Sequence, residues 1–308
     1  MNPGSPAEYG TSMVRPDDFD QFWDETLARA AQIPLNPTLT PLPLRSTPEV
    51  EVYEVHYDSL DGVRIAGWYC LPAQRRGKLP AILHVPGYNQ DPPIPKETAR
   101  SGYAAFGAAP RGKLRSNAQF NPGYPGLLAH NIVDRNTYSY RGFYIDAVRA
   151  FDFLQSRAEV DSGRIGVTGS SQGGALTLVV SGLREQIKAA AAGAPYLCGF
   201  MDAIELTHTY PYQEIRDYLR LYPEREPAVR HTLNYFDGIH FGPRIHCPII
   251  VNIGLRDNVC PPETGYAAFQ TIAAADKTLY PYDDCGHDAG APVHKPIIAE
   301  FFAKHLQP

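Results

Sequence analysis

The sequence of 308 residues predicts an α/β fold with a mostly parallel central sheet and helices on both faces. The continuous apolar runs at 79–85 and 103–109 are typical of strands buried on both faces, and helical segments alternate with runs of this kind. The segments 50–57 and 63–71 alternate in polarity on either side of Asp61-Gly62. They predict a hairpin, and therefore an antiparallel edge at the N-terminal side of the sheet.

The remaining elements follow in order along the chain. A helix at 15–32 is predicted first, and prolines between 34 and 43 keep the next segment extended. A helix at 139–157, strands at 165–168, 189–194, 249–253 and 278–282, and a closing helix at 296–306 complete the pattern. Residues 200–246 interrupt it with Tyr-rich and Pro-rich helical segments. We interpret 1–308 as a single domain with an N-terminal helical extension (about 1–45) and a lid-like insertion (about 200–246).

Composition excludes several classes of function. The net charge of −5 offers no footprint for nucleic acid, and no apolar run reaches the length of about 18 residues that a membrane span needs. The five cysteines are scattered and never spaced as Cys-x-x-Cys, which favours a reducing compartment over a disulfide scaffold. No signal-peptide pattern is evident at the N-terminus, so a cytoplasmic location is expected. The basic clusters Arg75-Arg76 and Lys113-Leu114-Arg115 are expected to be solvated turns.

The most informative motif is Gly169-Ser170-Ser171-Gln172-Gly173, which joins a short apolar strand to a helix of small and apolar residues. Gly-x-Ser-x-Gly in this setting is the nucleophile elbow of α/β-hydrolases, with Ser171 at its apex. Glycine is needed on both sides because the turn is tight and other backbone approaches it closely. The sequence therefore predicts an α/β-hydrolase fold with a serine nucleophile.

A serine nucleophile needs a base and an acid that orients the base. Asp257 follows one predicted strand and His287 follows the next, which matches the chain order Ser, Asp, His of this fold. Asp283, Asp284 and Asp288 are alternative acids, but they lie too close to His287 along the chain to form a separate acid-bearing loop. The other histidines are expected to have structural or surface roles.

Negative charge that develops during acyl transfer needs N–H donors, the oxyanion hole. The N–H of Gln172 at the head of the elbow helix is one candidate. The loop after the predicted strand 79–85 should supply a second, and the N–H of Tyr88 in Gly87-Tyr88-Asn89 is the candidate there. A plain turn with an exposed tyrosine is the alternative interpretation of that loop.

Metal and cofactor sites find little support in the sequence. Glu205 and His208 have Glu-x-x-His spacing, but the motif occurs once and a di-metal site needs two. His-Glu-x-x-His, a P-loop and a dinucleotide-binding glycine fingerprint are absent from the sequence. We expect no metal and no cofactor.

Several further motifs occur together with the elbow along the chain. They are Arg15 to Trp23, Gly87-Tyr88-Asn89, Arg111-Gly112, Asp134 to Ala150, Asn234 to Gly238, Asp257 to Pro262 and Gly286-His287. With this set the chain resembles the acetyl xylan esterases and cephalosporin C deacetylases, a carbohydrate-esterase branch of the α/β-hydrolases, over nearly all of its length. Two positions depart from the family pattern: Lys113 stands where the family's Arg-Gly-Gln motif has glutamine, and Asp288 stands where its His-Glu motif has glutamate.

The resemblance implies a serine esterase that removes acetyl groups from small acetylated sugars and related esters. It implies Ser171, Asp257 and His287 as the triad, with the Tyr88 and Gln172 N–H groups as the oxyanion hole. It also implies a hexamer, with about 123–134 as the subunit-contact loop and active sites facing an internal cavity. Tyr210-Pro211 of the insertion is expected to wall the acyl pocket.

Two other hypotheses remain open at this point. One is a serine hydrolase of different acyl or peptide specificity. A dienelactone-hydrolase relative is disfavoured because the nucleophile is a serine, and a prolyl-peptidase relative because the sequence has no N-terminal propeller. The other is a catalytically silent hydrolase fold that serves as a binding protein, a class that normally lacks a triad member.

Overall fold

The computed structural model of the protein describes residues 5–307, and the first four residues of the predicted N-terminal extension lie outside them. Nine strands within the described residues form one sheet. They are β1 (Thr38–Pro41), β2 (Val50–Asp58), β3 (Arg64–Pro72), β4 (Leu79–His84), β5 (Ala104–Ala109), β6 (Val160–Ser170), β7 (Ala189–Gly193), β8 (Ile249–Gly254) and β9 (Lys277–Tyr282).

The helices lie between these strands and beyond them. In residues 5–307 they are α1 (Phe19–Ala31), α2 (Lys96–Arg100), α3 (Ser139–Gln155), α4 (Gln172–Leu183), α5 (Phe200–Leu206), α6 (Gln213–Leu221), α7 (Glu226–Asn234), α8 (Pro262–Thr271) and α9 (Ala291–Leu306). None of these helices in the described part of the chain is long and apolar enough to cross a membrane.

The sheet has the predicted mixture of strand directions. Its order is β1-β2-β3-β5-β4-β6-β7-β8-β9. The pairs from β1 through β3 to β5 are antiparallel, and all pairs from β5 through to β9 are parallel. This confirms the predicted fold class. Because the carboxyl ends of parallel strands meet at one edge, the loops that follow β4, β6, β8 and β9 converge there.

Packing on both faces explains why the central strands are continuously apolar. Alternate residues of a strand point to opposite faces. Accordingly, Leu83 of β4 belongs to the larger core cluster, whereas its neighbour Ile82 packs with Phe302 and Leu306 of α9 in a second cluster. The small residues of β5 and β7 are buried along their whole length.

The N-terminal helix packs against the segment that was predicted to be an insertion. The Trp23 indole N–H of α1 donates to the carbonyl of Tyr235 at 2.9 Å. The same ring lies 5.5 Å from Phe236 and 5.3 Å from Phe241, centroid to centroid. Aromatic contacts of this kind stabilise beyond the area they bury.

Two element predictions need correction. The extended proline-rich segment contains an edge strand, β1, whose Pro41 is tolerated because an edge strand does not need every N–H. The closing helix begins at Ala291, five residues before Pro296, and contains that proline in its second turn. The Nδ1 atom of His294, which is buried in the first turn of this helix, lies 2.9 Å from the Tyr282 hydroxyl and attaches the earlier turn to the end of β9.

Candidate active site

The nucleophile elbow is built by close backbone packing. Ser171 lies between β6 and α4 with φ 60° and ψ −121°, a strained conformation for a residue with a side chain. A Cβ on Gly169 or Gly173 would come within 2.6 or 2.4 Å of the Val85 carbonyl oxygen. Both glycines of the motif are therefore required by the approach of the β4 strand end.

Hydrogen bonds to the next strand hold the strained serine. The Ser171 N–H donates to the Gly193 carbonyl at 2.9 Å, and the Ser171 carbonyl accepts from the Tyr196 N–H at 3.0 Å. The Ala175 N–H donates to the same carbonyl at 3.1 Å, as the first turn of α4 requires. These hydrogen bonds restrain the backbone on both sides of Ser171, which lets a strained conformation persist in the folded chain.

The predicted acid and base are in contact. The Nδ1 atom of His287 lies 2.8 Å from Oδ2 of Asp257, and the Asp257 side chain is 1% exposed against 34% for the imidazole. The other carboxylate oxygen, Oδ1, accepts from the N–H groups of Val259 at 2.8 Å and Cys260 at 2.9 Å. A carboxylate held in this way keeps the proton on Nδ1 and leaves Nε2 free to accept one.

The predicted residues converge on one cavity. A space of about 360 Å³ is lined by Ser171, His287, Tyr88, Tyr210 and Pro211, among other residues. Asp257 lies behind the imidazole, and Gln172 is fully buried beside the serine. The folded chain thus brings together all seven residues predicted from the sequence.

The side chains of the two candidate oxyanion-hole residues are held by hydrogen bonds. Gln172 accepts from the Tyr140 hydroxyl at 2.7 Å and donates through Nε2 to the Gly87 carbonyl at 3.3 Å. As the first residue of α4 it has no intrahelical acceptor for its backbone N–H. The Tyr88 hydroxyl donates to a Glu214 carboxylate oxygen and accepts from the Leu128 N–H at 3.1 Å.

Glu214 and Lys113 were missed as site residues. Glu214 lies in α6, is 5% exposed, and its pKa is raised by burial. Lys113, expected on a solvated turn, is instead 4% exposed, which corrects that prediction. Its Nζ donates to the Gly87 carbonyl at 2.6 Å and also to the Tyr88 carbonyl. The available signal was its departure from the Arg-Gly-Gln pattern.

One group of potential metal ligands lies within this site. Donor atoms of Asp257, Cys260 and His287 all lie within 4.8 Å of one another. Both oxygens of Asp257 already accept hydrogen bonds, and burial raises the pKa of the Cys260 thiol well above its usual value. The arrangement is better suited to moving a proton than to holding a metal.

The sheet order, the strained serine and the buried Asp–His pair define an α/β-hydrolase. Within that class, the chain belongs to the acetyl xylan esterase (AXE1) family, whose model matches residues 6–305.

Solved structures agree with this assignment. An acetyl xylan esterase from Paenibacillus sp. R4 is 35% identical, with a TM-score of 0.92 over 99% of this chain and 100% of that one. Acetyl xylan esterase 1 from Thermoanaerobacterium sp. JW/SL YS485 is 26% identical, with a TM-score of 0.92 over 100% of this chain and 99% of that one.

A curated relative is longer than this chain. Acetyl esterase Axe7A from Xylanibacter ruminicola is 29% identical over 279 residues, which are 86% of this chain and 62% of that protein. The chain therefore spans less than two thirds of the length of that relative.

Proposed function

We propose that the protein is a serine esterase that removes acetyl groups from small acetylated carbohydrates and related acetate esters, without a cofactor. The observation that carries the proposal is one cavity lined by Ser171 and by His287, whose imidazole is supported by a buried Asp257, in a chain of the acetyl xylan esterase family.

The first half of the reaction would form an acetyl-enzyme. His287 takes the Ser171 proton through Nε2 as Oγ attacks the acetyl carbonyl, and Asp257 stabilises the imidazolium that results. The tetrahedral intermediate then expels the sugar alkoxide, which receives the proton from His287. In the second half, water gives a proton to the same imidazole as its oxygen attacks the acetyl carbon. The second tetrahedral intermediate then expels the Ser171 Oγ, which takes that proton back from His287, and acetic acid leaves and ionises to acetate.

Oxyanion stabilisation would come from two backbone N–H groups, those of Tyr88 and Gln172. Both donors belong to the main chain, so the side chains of these residues contribute by fixing the position of the backbone. The hydrogen bonds from Tyr140 to Gln172 and from Tyr88 to Glu214 support this role, because they restrain the side chains of the two residues whose N–H groups would bind the oxyanion. Losing one such donor typically costs about 10²–10³ in kcat.

Acyl-group selection would depend on the insertion that precedes β8. Tyr210 and Pro211 line the same cavity as Ser171, which supports a role in walling the acyl pocket and in a lid-like function of residues 200–246. The buried contact between Trp23 and Tyr235 supports treating residues 1–308 as one domain, because the N-terminal helix and the insertion share a core.

The decisive experiment compares Ser171→Ala with Ser170→Ala, its neighbour in the elbow. Wild-type protein should hydrolyse 4-nitrophenyl acetate and acetylated xylose. Ser171→Ala should lower kcat by a factor of about 10⁶, whereas Ser170→Ala should keep most of the wild-type kcat. Longer acyl esters and an aminoacyl anilide in the same panel separate an acetylesterase from other serine hydrolases. Equal activity of Ser171→Ala and wild type would refute the assignment, and a wild-type chain inert to every ester and to fluorophosphonates would favour a binding protein.

We also propose a hexameric assembly and a cytoplasmic location. Exposed apolar side chains in the segment 123–134, Tyr124 at 53% and Val133 at 39%, support a subunit contact there. All five cysteines are free thiols, which supports a reducing compartment. Light scattering of the purified protein tests the subunit number, and cell fractionation tests the location.

A further inference from the structure

We propose that Lys113 is a positioning residue of the oxyanion hole, which acts through the peptide group between Gly87 and Tyr88. Its Nζ donates to the Gly87 carbonyl at 2.6 Å, and the Tyr88 carbonyl is a second acceptor. The Nε2 group of Gln172 donates to the same Gly87 carbonyl at 3.3 Å. The inference rests on the proposed function, because the catalytic use of the Tyr88 N–H belongs to that proposal.

The argument follows from the planarity of the peptide bond. The carbonyl of Gly87 and the N–H of Tyr88 belong to one planar trans unit and point in opposite directions. Anchoring the oxygen at one end therefore fixes the direction of the N–H at the other. A charged donor on the carbonyl also polarises the unit and strengthens its N–H as a hydrogen-bond donor.

The loop that carries Lys113 is itself firmly attached. The neighbouring Arg111 guanidinium donates to both carboxylate oxygens of the fully buried Asp146, at 2.9 and 3.0 Å. The Arg111 backbone N–H donates to the same carboxylate at 2.9 Å. Because the backbone near Lys113 is restrained in this way, the lysine can restrain the position of the Gly87 carbonyl.

Two aromatic rings and a nearby acid also face the ammonium. Its Nζ lies 5.9 Å from the ring centroids of Tyr88, in the loop after β4, and of Phe143, in α3. Burial lowers the pKa of Lys113 to about 7, and the charge of Asp91 opposes that shift. Of the other acidic groups near this loop, Glu214 is bonded to the Tyr88 hydroxyl and Asp146 is bonded to Arg111.

A direction of pH dependence follows. Below about pH 7 the lysine is protonated, so its bonds to the loop are charge-assisted and the Tyr88 N–H is polarised. Above that pH the charge is lost and the stabilisation of the oxyanion weakens. We therefore expect kcat of the wild-type protein to fall on the alkaline side with the titration of Lys113.

The test replaces the ammonium and keeps its stem, as in Lys113→Met. Removing a whole oxyanion donor costs about 10²–10³ in kcat, so weakening one should cost about tenfold. We expect that loss in kcat with little change in KM, because the bond matters in the transition state. The alkaline limb of the kcat profile should disappear, and a boronic acid that forms a tetrahedral adduct should bind about tenfold more weakly. Acetate release is the readout, since nitrophenol colour changes with pH.

Lys113→Gln is the second variant, and keeps the inference testable if the Met variant does not fold. The amide supplies a neutral donor, so part of kcat should return while the alkaline limb stays absent.

Lys277→Met is the matched control. Its Nζ also donates to carbonyls, those of Phe269 at 3.1 Å and Ile272 at 2.6 Å, at the end of α8. This variant should lose thermal stability but keep kcat and the wild-type pH profile. An active wild type whose Lys113 variants retain both kcat and the alkaline limb would overturn this inference alone. A wild type inactive toward all acetate esters would refute the proposed function and this inference with it.

Discussion

Asp257→Asn is the substitution whose outcome the structure determines most fully. One oxygen of Asp257 accepts from the N–H groups of Val259 and Cys260, at 2.8 and 2.9 Å, and the other faces Nδ1 of His287. In the asparagine variant the amide oxygen must stay with the two backbone donors, because the opposite orientation would place an NH₂ group against them. The NH₂ group then faces the imidazole.

This orientation inverts the tautomer of the base. An NH₂ group donates to Nδ1, so the ring proton moves to Nε2, the atom that should accept the Ser171 proton. In a serine protease, the same substitution lowers kcat by a factor of about 10⁴, and we expect a decrease of the same order here. This factor corresponds to a loss of about 5.4 kcal/mol of transition-state stabilisation. Steady-state hydrolysis of 4-nitrophenyl acetate near neutral pH measures this loss of kcat.

The matched control is Asp284→Asn, an acid from the His287 loop whose side chain is 84% exposed and paired with Arg256. Exposed pairs contribute little, so this variant should keep wild-type activity and stability. Thermal unfolding followed by circular dichroism shows whether Asp257→Asn remains folded. The reasoning is refuted if folded Asp257→Asn retains a tenth of the wild-type kcat, or if Asp284→Asn loses activity on the same scale.

Three further substitutions test the supports around the site. Gly254→Ala would place a Cβ 2.0 Å from the Gly286 carbonyl oxygen, so the loop carrying His287 must shift and kcat should fall by about 10². Glu214→Gln leaves a buried donor without an acceptor and should lower the free energy of unfolding in urea by about 1–3 kcal/mol. Burial lowers the pKa of His294 in the folded protein to about 4, below the usual 6.5, so the free energy of unfolding is highest above pH 6.5 and falls as the pH drops toward 4. His294→Phe should reduce this loss of stability on acidification.

Each of these has its own check. Gly163→Ala, whose Cβ would meet no atom closer than 3.5 Å, should keep full activity beside Gly254→Ala. An unchanged urea midpoint for Glu214→Gln would contradict the view that its carboxylate is needed by the oxyanion loop. Parallel curves of unfolding free energy against pH for wild type and His294→Phe, between about pH 4 and the usual histidine pKa of 6.5, would show that this histidine does not control acid sensitivity.

Much of the fold follows from local patterns in the sequence. Apolar runs such as 104–109 predict buried strands because side chains of a parallel sheet are covered on both faces. The predicted start of the closing helix, at Pro296, is wrong by five residues. A proline disfavours a helix locally, but here the helix starts earlier, and the contact between His294 and Tyr282 attaches that earlier turn to β9. Such a contact joins neighbouring elements and has no signature in either one.

The sequence by itself determined the class of the fold, the elbow at Ser171, and the order in which Asp257 and His287 follow it. These depend on short motifs at strand ends, where the topology of a parallel sheet brings the loops together. Tertiary structure alone decided that Lys113 is buried and that its ammonium meets the Gly87 carbonyl, 26 positions away. A lysine on a turn is ordinarily solvated, and whether its charge is buried depends on which distant backbone acceptors surround it.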